Sequence, residues 1–220
     1  MRFDVITLFP EMCEAYLGES ILKRAREKHL LSFFMHNSRD YTNDSHRRVD
    51  DRAYGGGPGM VLAAEPLLKT LSAIRAGGKK EKIILFSAGG KQFTAKMAGD
   101  WAKKYDRIIM IAGRYEGVDE RIKKIYKMEE ISVGPYVLTG GELPALTVID
   151  AVSRHVPGVL GKNESLEERR LGVGVPVYTR PEMLPWKKKK YRVPPVLLSG
   201  DHKKIEAWRK KKQKMREKPR

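Results

Sequence analysis

Three strand-like runs in this chain, two of them apolar, each end in a glycine-bearing loop, and stretches of helical spacing separate them. Residues 82–88 (KIILFSA) run directly into Gly89-Gly90, and residues 107–113 (RIIMIAG) open onto Arg114-Tyr115-Glu116-Gly117. The third run, EEIS, leads into VGPYVLTGGELP. Apolar runs without clean alternation mark strands covered on both faces, and helices between them imply parallel pairing through crossovers. The expected fold class is therefore α/β with a mostly parallel sheet. In such sheets ligands gather at the carboxyl ends of the strands, where these glycines fall.

The rest of the chain fits around that frame. Residues 2–8 (RFDVITL) read as a strand stopped by Phe9-Pro10, residues 11–28 as one or two helices interrupted at Gly18, and residues 30–37 as a second strand. Helices are expected over 63–76, with Glu65 and Pro66 in the first turn, around Met97 and Trp101, and from Leu143 to about Val156. Residues 38–60 carry no periodicity, and so long a stretch inside a compact domain marks a functional loop. After Pro157-Gly158 the character changes. The expected division is a ligand-binding domain over 1–160, a linker over 161–176, charged and then glycine-rich, and a small basic helical domain over 177–220.

Charge narrows the partners. Lys and Arg number 44 against 27 Asp and Glu, a net charge of +17, and such an excess points to a polyanion, nucleic acid first. From Lys203 onward ten Lys or Arg face only Glu206 and Glu217. No apolar run long enough to span a bilayer is present, and the N-terminal MRFDVITLFPEM lacks the apolar core of a signal peptide, so a cytoplasmic protein without membrane attachment is expected. Cys13 is the single cysteine, which excludes an internal disulfide and a thiolate zinc site; it is expected to be a small buried residue on a helix. The five histidines show no metal-ligand spacing, so no dedicated metal site is expected.

Three glycine loops meeting at one sheet edge would form a pocket lined by backbone N–H and C=O groups, since glycine has no Cβ to hold a ligand away. The alternative is that each glycine only turns the chain or stops a helix. A neutral adenosine suits such a pocket better than a triphosphate does. No G-x-x-x-x-G-K-[ST] is present, and Gly55-Gly56-Gly57-Pro58-Gly59-Met60 does not open on a lysine.

These residues also carry a resemblance. DDRAYGGGPGM, AGRYEGVDER, SVGPYVLTGGELPALTVIDAVSRHVPGVLG and YTRPE, followed by VPPVLLSGDH and AWR, occur in order over nearly the whole chain. Together they resemble the bacterial tRNA (guanine-N1)-methyltransferases of the SPOUT class. The resemblance implies a deep trefoil knot in the sheet domain and an obligate homodimer whose active sites are shared between subunits. It also implies S-adenosylmethionine bound in a bent shape and, as substrate, the guanosine 3′ of the anticodon in tRNA.

Position by position, the resemblance assigns the cofactor to Ser87, Gly89, Gly90, Gly113, Tyr115, Glu116, Gly117, Ser132, Val133, Gly134, Tyr136, Leu138, Gly140 and Gly141. Tyr136 and Leu138 would flank the adenine, and Glu116 would lie near the methionine end. Ala88 stands where the family commonly has a proline. Methyl transfer to N1 needs a base for the N1 proton and a cation for charge gathering on O6. Arg154 matches the family arginine for the second task; as a bare residue it also reads as a helix-surface arginine in a salt bridge. Arg169 occupies the place where the family carries its Asp, in a shorter linker, and Glu168 beside it is the substitute base. Asp50 and Arg52 would contact the flipped substrate guanine or its neighbours, and the glycines Gly55, Gly57 and Gly59 its backbone. His46, near Asp44, is expected to be a loop hydrogen-bonder or phosphate contact rather than a base. Magnesium is a possible assistant that needs no protein cage. The basic tail and the lysines at 187–190 would hold the tRNA backbone. Two other functions stay open on the residues: the same fold acting on another RNA, and a non-catalytic RNA-binding protein on a decayed enzyme scaffold.

Overall fold

The computed structural model describes residues 1–75, 78, 80–161 and 175–216. The chain divides into two compact units, Met1–Gly161 and Lys162–Arg220.

In the first unit, strands β1 (Arg2–Ile6), β2 (Ser32–His36), β5 (Glu81–Gln92), β6 (Arg107–Ile111) and β7 (Glu129–Ser132) form one sheet in the order β2-β1-β6-β5-β7. Every neighbouring pair is parallel, as the unbroken apolar runs lead one to expect. Alternation along the strands splits the apolar side chains between two cores. Phe3, Val5, Phe33, Ile84, Ile108 and Met110 face one way, and Ile6, Ile83, Leu85, Ile109 and Ile111 the other. The first face is covered by α1 (Pro10–Leu17), α2 (Ser20–Glu27), α4 (Ala95–Lys104) and α6 (Glu142–Ser153), which bring in Leu17, Leu22, Trp101 and Ile149. The second is covered by α3 (Ala64–Ile74) and α5 (Arg121–Ile125), through Leu67, Leu71 and Ile122. The result is a three-layer α/β/α unit.

The helix boundaries follow from local chemistry. Pro10 opens α1, where its missing N–H costs nothing. Gly18 closes that helix and separates it from α2, so residues 11–28 are two helices. Thr94 caps α4 by accepting a hydrogen bond from the Met97 N–H at 3.2 Å. Cys13 lies fully buried on α1, and burial, followed by the charge of Glu142, pushes its thiol up to about 12. Such a thiol is chemically inert near neutral pH.

In the middle of β1 one carboxylate is sealed into the protein. Asp4 is fully buried and takes hydrogen bonds from Arg2, His36 and Arg107 at 2.7–2.8 Å. Burial pushes its carboxyl up, but the hydrogen bonds from His36, Arg2 and Arg107 win, and the group is held well below the usual carboxylate range. Its contribution to stability is present above the unfolded-state value and is lost as pH falls through the folded one.

Two features depart from the sequence expectation. The run at 82–88 does not stop at Gly89-Gly90: β5 continues to Gln92 and pairs a second time with Ile131 and Ser132 of β7. Between Phe86 and Lys91 the register shifts, so Ser87–Gly90 forms an outward excursion inside a strand rather than a turn after one. The second departure is in the other unit, which was expected to be helical. It opens with an antiparallel hairpin, β8 (Met183–Trp186) and β9 (Lys189–Arg192), before α7 (Pro195–Leu198) and α8 (His202–Arg216). The lysine run hid the strands, because lysine carries little strand preference and the turn lacks glycine or asparagine. Among the described residues no helix is long and apolar enough to cross a membrane.

Candidate active site

The excursion of β5, the loop after β6 and the loop between β7 and α6 meet over the carboxyl edge of the sheet. They enclose a cavity of about 300 Å³. Of the residues assigned to the cofactor, Ser87, Gly113, Tyr115, Glu116, Gly117, Ser132, Val133, Tyr136, Leu138, Gly140 and Gly141 line it. Gly89, Gly90 and Gly134 do not line it; Gly90 and Gly134 shape the loops that do, and Gly89 lies in the β5 excursion with open space where its Cβ would stand.

Space explains several of these glycines. A Cβ on Gly90 would lie 2.7 Å from the Glu130 carbonyl carbon, so only glycine lets the excursion rejoin β7. A Cβ on Gly141 would lie 2.5 Å from Ala112 Cα, and the Gly141 N–H donates to the Gly113 carbonyl at 2.9 Å. That pairing seats the last loop on the end of β6. A Cβ on Gly134 would overlap the Tyr136 ring, whose hydroxyl donates to the Val133 carbonyl at 3.4 Å. The Ser132 hydroxyl donates to the Gly134 carbonyl at 2.8 Å and tightens the same turn. In the middle loop Tyr115 sits at φ +58°, a left-handed conformation that costs a residue with a Cβ roughly 1 kcal/mol. Such outliers concentrate where a loop is held for function.

Charge at the cavity has a pattern the sequence did not reveal. Glu116, Glu120 and Glu130 all line it, and Lys123 bridges Glu120 and Glu130, reaching Glu130 at 2.6 Å. The Lys123 hydrogen bond holds the Glu130 carboxyl below its usual range, against the upward push of burial. Arg114, also on the lining, approaches the buried Glu142 carboxylate at 2.9 Å, and Glu142 accepts from Thr7 at 2.7 Å. The Arg114 N–H is misaligned with that oxygen, so the pair balances charge without making a directed hydrogen bond. The guanidinium also covers the Phe9 ring at 4.5 Å. Arg114 and Glu142 were visible in AGRYEG and TGGELP, but only the fold shows that they face each other.

The long loop over 38–60 is stitched to this edge. Asp50 and Asp51 (β3) pair antiparallel with Val61 and Leu62 (β4), and Leu62 donates to the Gly117 carbonyl at 2.9 Å. The Glu116 N–H donates to the Met60 carbonyl at 3.0 Å, and a Cβ on Gly59 would lie 2.6 Å from the Glu116 side chain. Gly59 thus borders the cavity wall, and Asp50 reaches it only through its pairing with Leu62. Gly55 and Gly57 have no atom within 4 Å of where a Cβ would stand, and Arg52 is exposed. His46 donates its backbone N–H to Asp44 at 3.0 Å, and Arg48 salt-bridges the same carboxylate at 2.8 Å.

A family model described as tRNA (guanine-1)-methyltransferase TrmD matches residues 1–220. The chain belongs to that family. It is 45% identical over 219 residues to the tRNA (guanine-N(1)-)-methyltransferase of Citrifermentans bemidjiense, covering 98% of this chain and 86% of that protein. The protein of the same description from Dictyoglomus turgidum is 46% identical over 214 residues, 96% of this chain and 84% of its own length. That from Moorella thermoacetica is 47% identical over 214 residues, 95% and 84% respectively.

Glu142 begins α6 beside the cavity, and Arg154 caps the opposite end of that helix, about 18 Å away along the axis at 1.5 Å per residue. Arg154 is therefore not among the residues that line the cavity. Glu168 lies outside the described residues. Among the described residues no cluster of three His, Cys, Asp or Glu side chains gathers as a metal cage requires.

Proposed function

We propose that this protein transfers a methyl group from S-adenosylmethionine to N1 of the guanosine 3′ of the anticodon in tRNA. The observation that carries the proposal is the convergence of the three glycine loops of a tRNA (guanine-1)-methyltransferase chain over one sheet edge. The cavity fits an adenosyl group with a cationic end. Its walls at Gly113, Gly140 and Gly141 are side-chain-free, and Glu116, Glu120 and Glu130 supply negative charge. Ser87, Tyr115, Ser132, Val133, Tyr136 and Leu138 would hold the cofactor with them, while Gly90 and Gly134 keep the loops in shape and Gly89 leaves open space beside them. When bound, S-adenosylmethionine supplies an electrophilic methyl on a sulfonium.

The loop bearing Asp50, Arg52, Gly55, Gly57 and Gly59 is assigned to the substrate, since it rises directly from the cofactor wall at Gly59 and Glu116. Glu168 is assigned the removal of the N1 proton, and Arg154 the stabilisation of charge on O6. The distance of Arg154 from its own cavity supports a homodimer in which each subunit completes the other's site. The exposed Phe9, Met12 and Tyr16 on and beside α1, next to exposed Leu143 on α6, offer an apolar face for it. The Tyr16 hydroxyl ties these helices by donating to Asp150 at 2.6 Å. The same loops are assigned the trefoil knot of the SPOUT class. The double pairing of β5 with β7 and the seating of Gly141 on Ala112 support that path. The net charge of +17 supports a grip on the tRNA backbone, and a cytoplasmic site of action follows from that substrate.

Methyl transfer from labelled S-adenosylmethionine to two tRNA transcripts tests the proposal, one with guanosine and one with adenosine 3′ of the anticodon. Label on the first alone is expected. Label on neither, with cofactor still bound, would leave an RNA-binding protein in place of the enzyme. Mixing inactive Arg154→Ala subunits with subunits inactivated at the cofactor wall by Tyr136→Ala is expected to restore part of the activity, since one site of the mixed dimer then has both halves intact; no recovery would remove the shared site.

A further inference from the structure

The hairpin of the second unit has no part in the site above, and it carries an unusual surface. Its register sets Leu184 opposite Tyr191 and Trp186 opposite Lys189. Side chains alternate along each strand, so Leu184, Trp186, Tyr191 and Lys189 share one face. On that face Trp186 is 63% exposed, and Tyr191 and Leu184 are each 52% exposed. Two aromatic rings on diagonal positions, about 7–8 Å apart at the backbone, are thus left in solvent without contributing to a core. Around them stand Lys187, Lys188, Lys189, Lys190 and Arg192, with no carboxylate between Met183 and Arg192.

We propose that this ribbon is a stacking platform for unpaired RNA nucleotides, with Trp186 and Tyr191 taking bases against their faces and the five cations following the phosphates. Exposed aromatic rings interleaved with lysines are the composition by which single strands are held, because every base offers a π-face and every nucleotide a charge. A duplex has its bases already stacked and leaves the rings nothing to take. The inference borrows its choice of polyanion from the tRNA reading, but it does not depend on methyl transfer.

Binding of the full chain to a fluorescent oligoadenylate, followed by anisotropy over a range of salt, tests it. Trp186→Ala is expected to weaken binding roughly 5- to 150-fold, with the salt slope unchanged. Trp186→Phe is expected to stay near the parent, as is Leu184→Ala, which trims the same face without removing a ring. Glutamine at positions 187–190 is expected to lower the log–log salt slope by up to about 3. Parent-like binding by Trp186→Ala would overturn the proposal. So would an equal loss in Leu184→Ala, equal affinity for a blunt RNA duplex, or preference for phosphatidylserine vesicles over the oligonucleotide. The two readings fail separately. A protein that methylates no tRNA yet loses oligoadenylate with Trp186 keeps the platform and loses the enzyme, and the opposite result loses the platform alone.

Discussion

Two glycine-rich segments border the cavity, and they use glycine for opposite reasons. In the loop after β3 Gly55, Gly56 and Gly57 have φ of +90°, +81° and +107°, and no atom lies within 4 Å of where their Cβ would be. In the loop that enters α6, Gly141 has an ordinary φ of −86°, yet its Cβ would strike the backbone of Ala112 and Gly113. The first segment needs freedom of conformation and is surrounded by open space. The second needs absence of volume and is surrounded by protein. An identical substitution therefore loads different parts of the free energy: backbone strain in the first, displaced structure in the second. Gly59 belongs to both classes, with φ +90° and the Glu116 side chain in its way, and it stands where the first segment meets the loop after β6.

The comparison is broken most directly by adding one methyl group at a time. Gly141→Ala is expected to have the largest effect, about 3 kcal/mol of lost stability, because the obstructing atoms are backbone at the end of β6. Urea unfolding checks this, with a lower midpoint at unchanged slope. A loss under about 1 kcal/mol would mean that the two strands yield and that the seating is not rigid. Gly134→Ala comes next, at about 1–2 kcal/mol, because the Tyr136 ring it displaces is 55% exposed and free to swing. Its effect on cofactor affinity is expected to exceed its effect on stability, since Tyr136 lines the cavity. Equal losses in both would make the ring a structural strut instead of a wall.

How much of this was legible in the sequence follows the same division. The parallel sheet was, because KIILF and RIIMI are apolar on both faces and helices intervene. The gathering of glycines at one edge was legible too, as was the break between α1 and α2 at Gly18. The continuation of β5 to Gln92 was not, since Gly89-Gly90 signals a turn locally and only the second pairing with β7 carries the strand past it. Nor was the partnership of Arg114 with Glu142, a contact 28 positions apart that exists only once Gly141 sits on Ala112. The distance between Arg154 and the cavity was hidden for the same reason. The motif holding Arg154 follows the cofactor loop closely in sequence, and a helix of twelve residues turns that proximity into separation. The hairpin at Met183–Arg192 escaped because four consecutive lysines have no strand signature.

Two smaller effects sharpen the contrast. Gly56→Ala meets no neighbour and is expected to cost about 1 kcal/mol through its left-handed backbone alone; Gly56→Asn is expected to recover part of that loss, since asparagine tolerates the conformation. No recovery would place the cost in contacts rather than in φ.

Gly89→Ala is the most informative of the series because the protein itself gives no reason against it. Gly89 lies in the β5 excursion, has no left-handed φ and has nothing within 4 Å of a Cβ. Alanine there is expected to leave the melting temperature unchanged or slightly higher, since glycine weakens a strand by roughly 0.5–1 kcal/mol relative to alanine. Affinity for S-adenosylmethionine, measured by calorimetry, is nevertheless expected to fall about tenfold, equivalent to ~1.4 kcal/mol, if the cofactor approaches this backbone as the family resemblance implies. A fall in affinity at constant stability would mark space reserved for a ligand, a third use of glycine that neither of the other segments isolates. Unchanged affinity would move the cofactor away from the excursion and leave the loops after β6 and β7 to hold it alone.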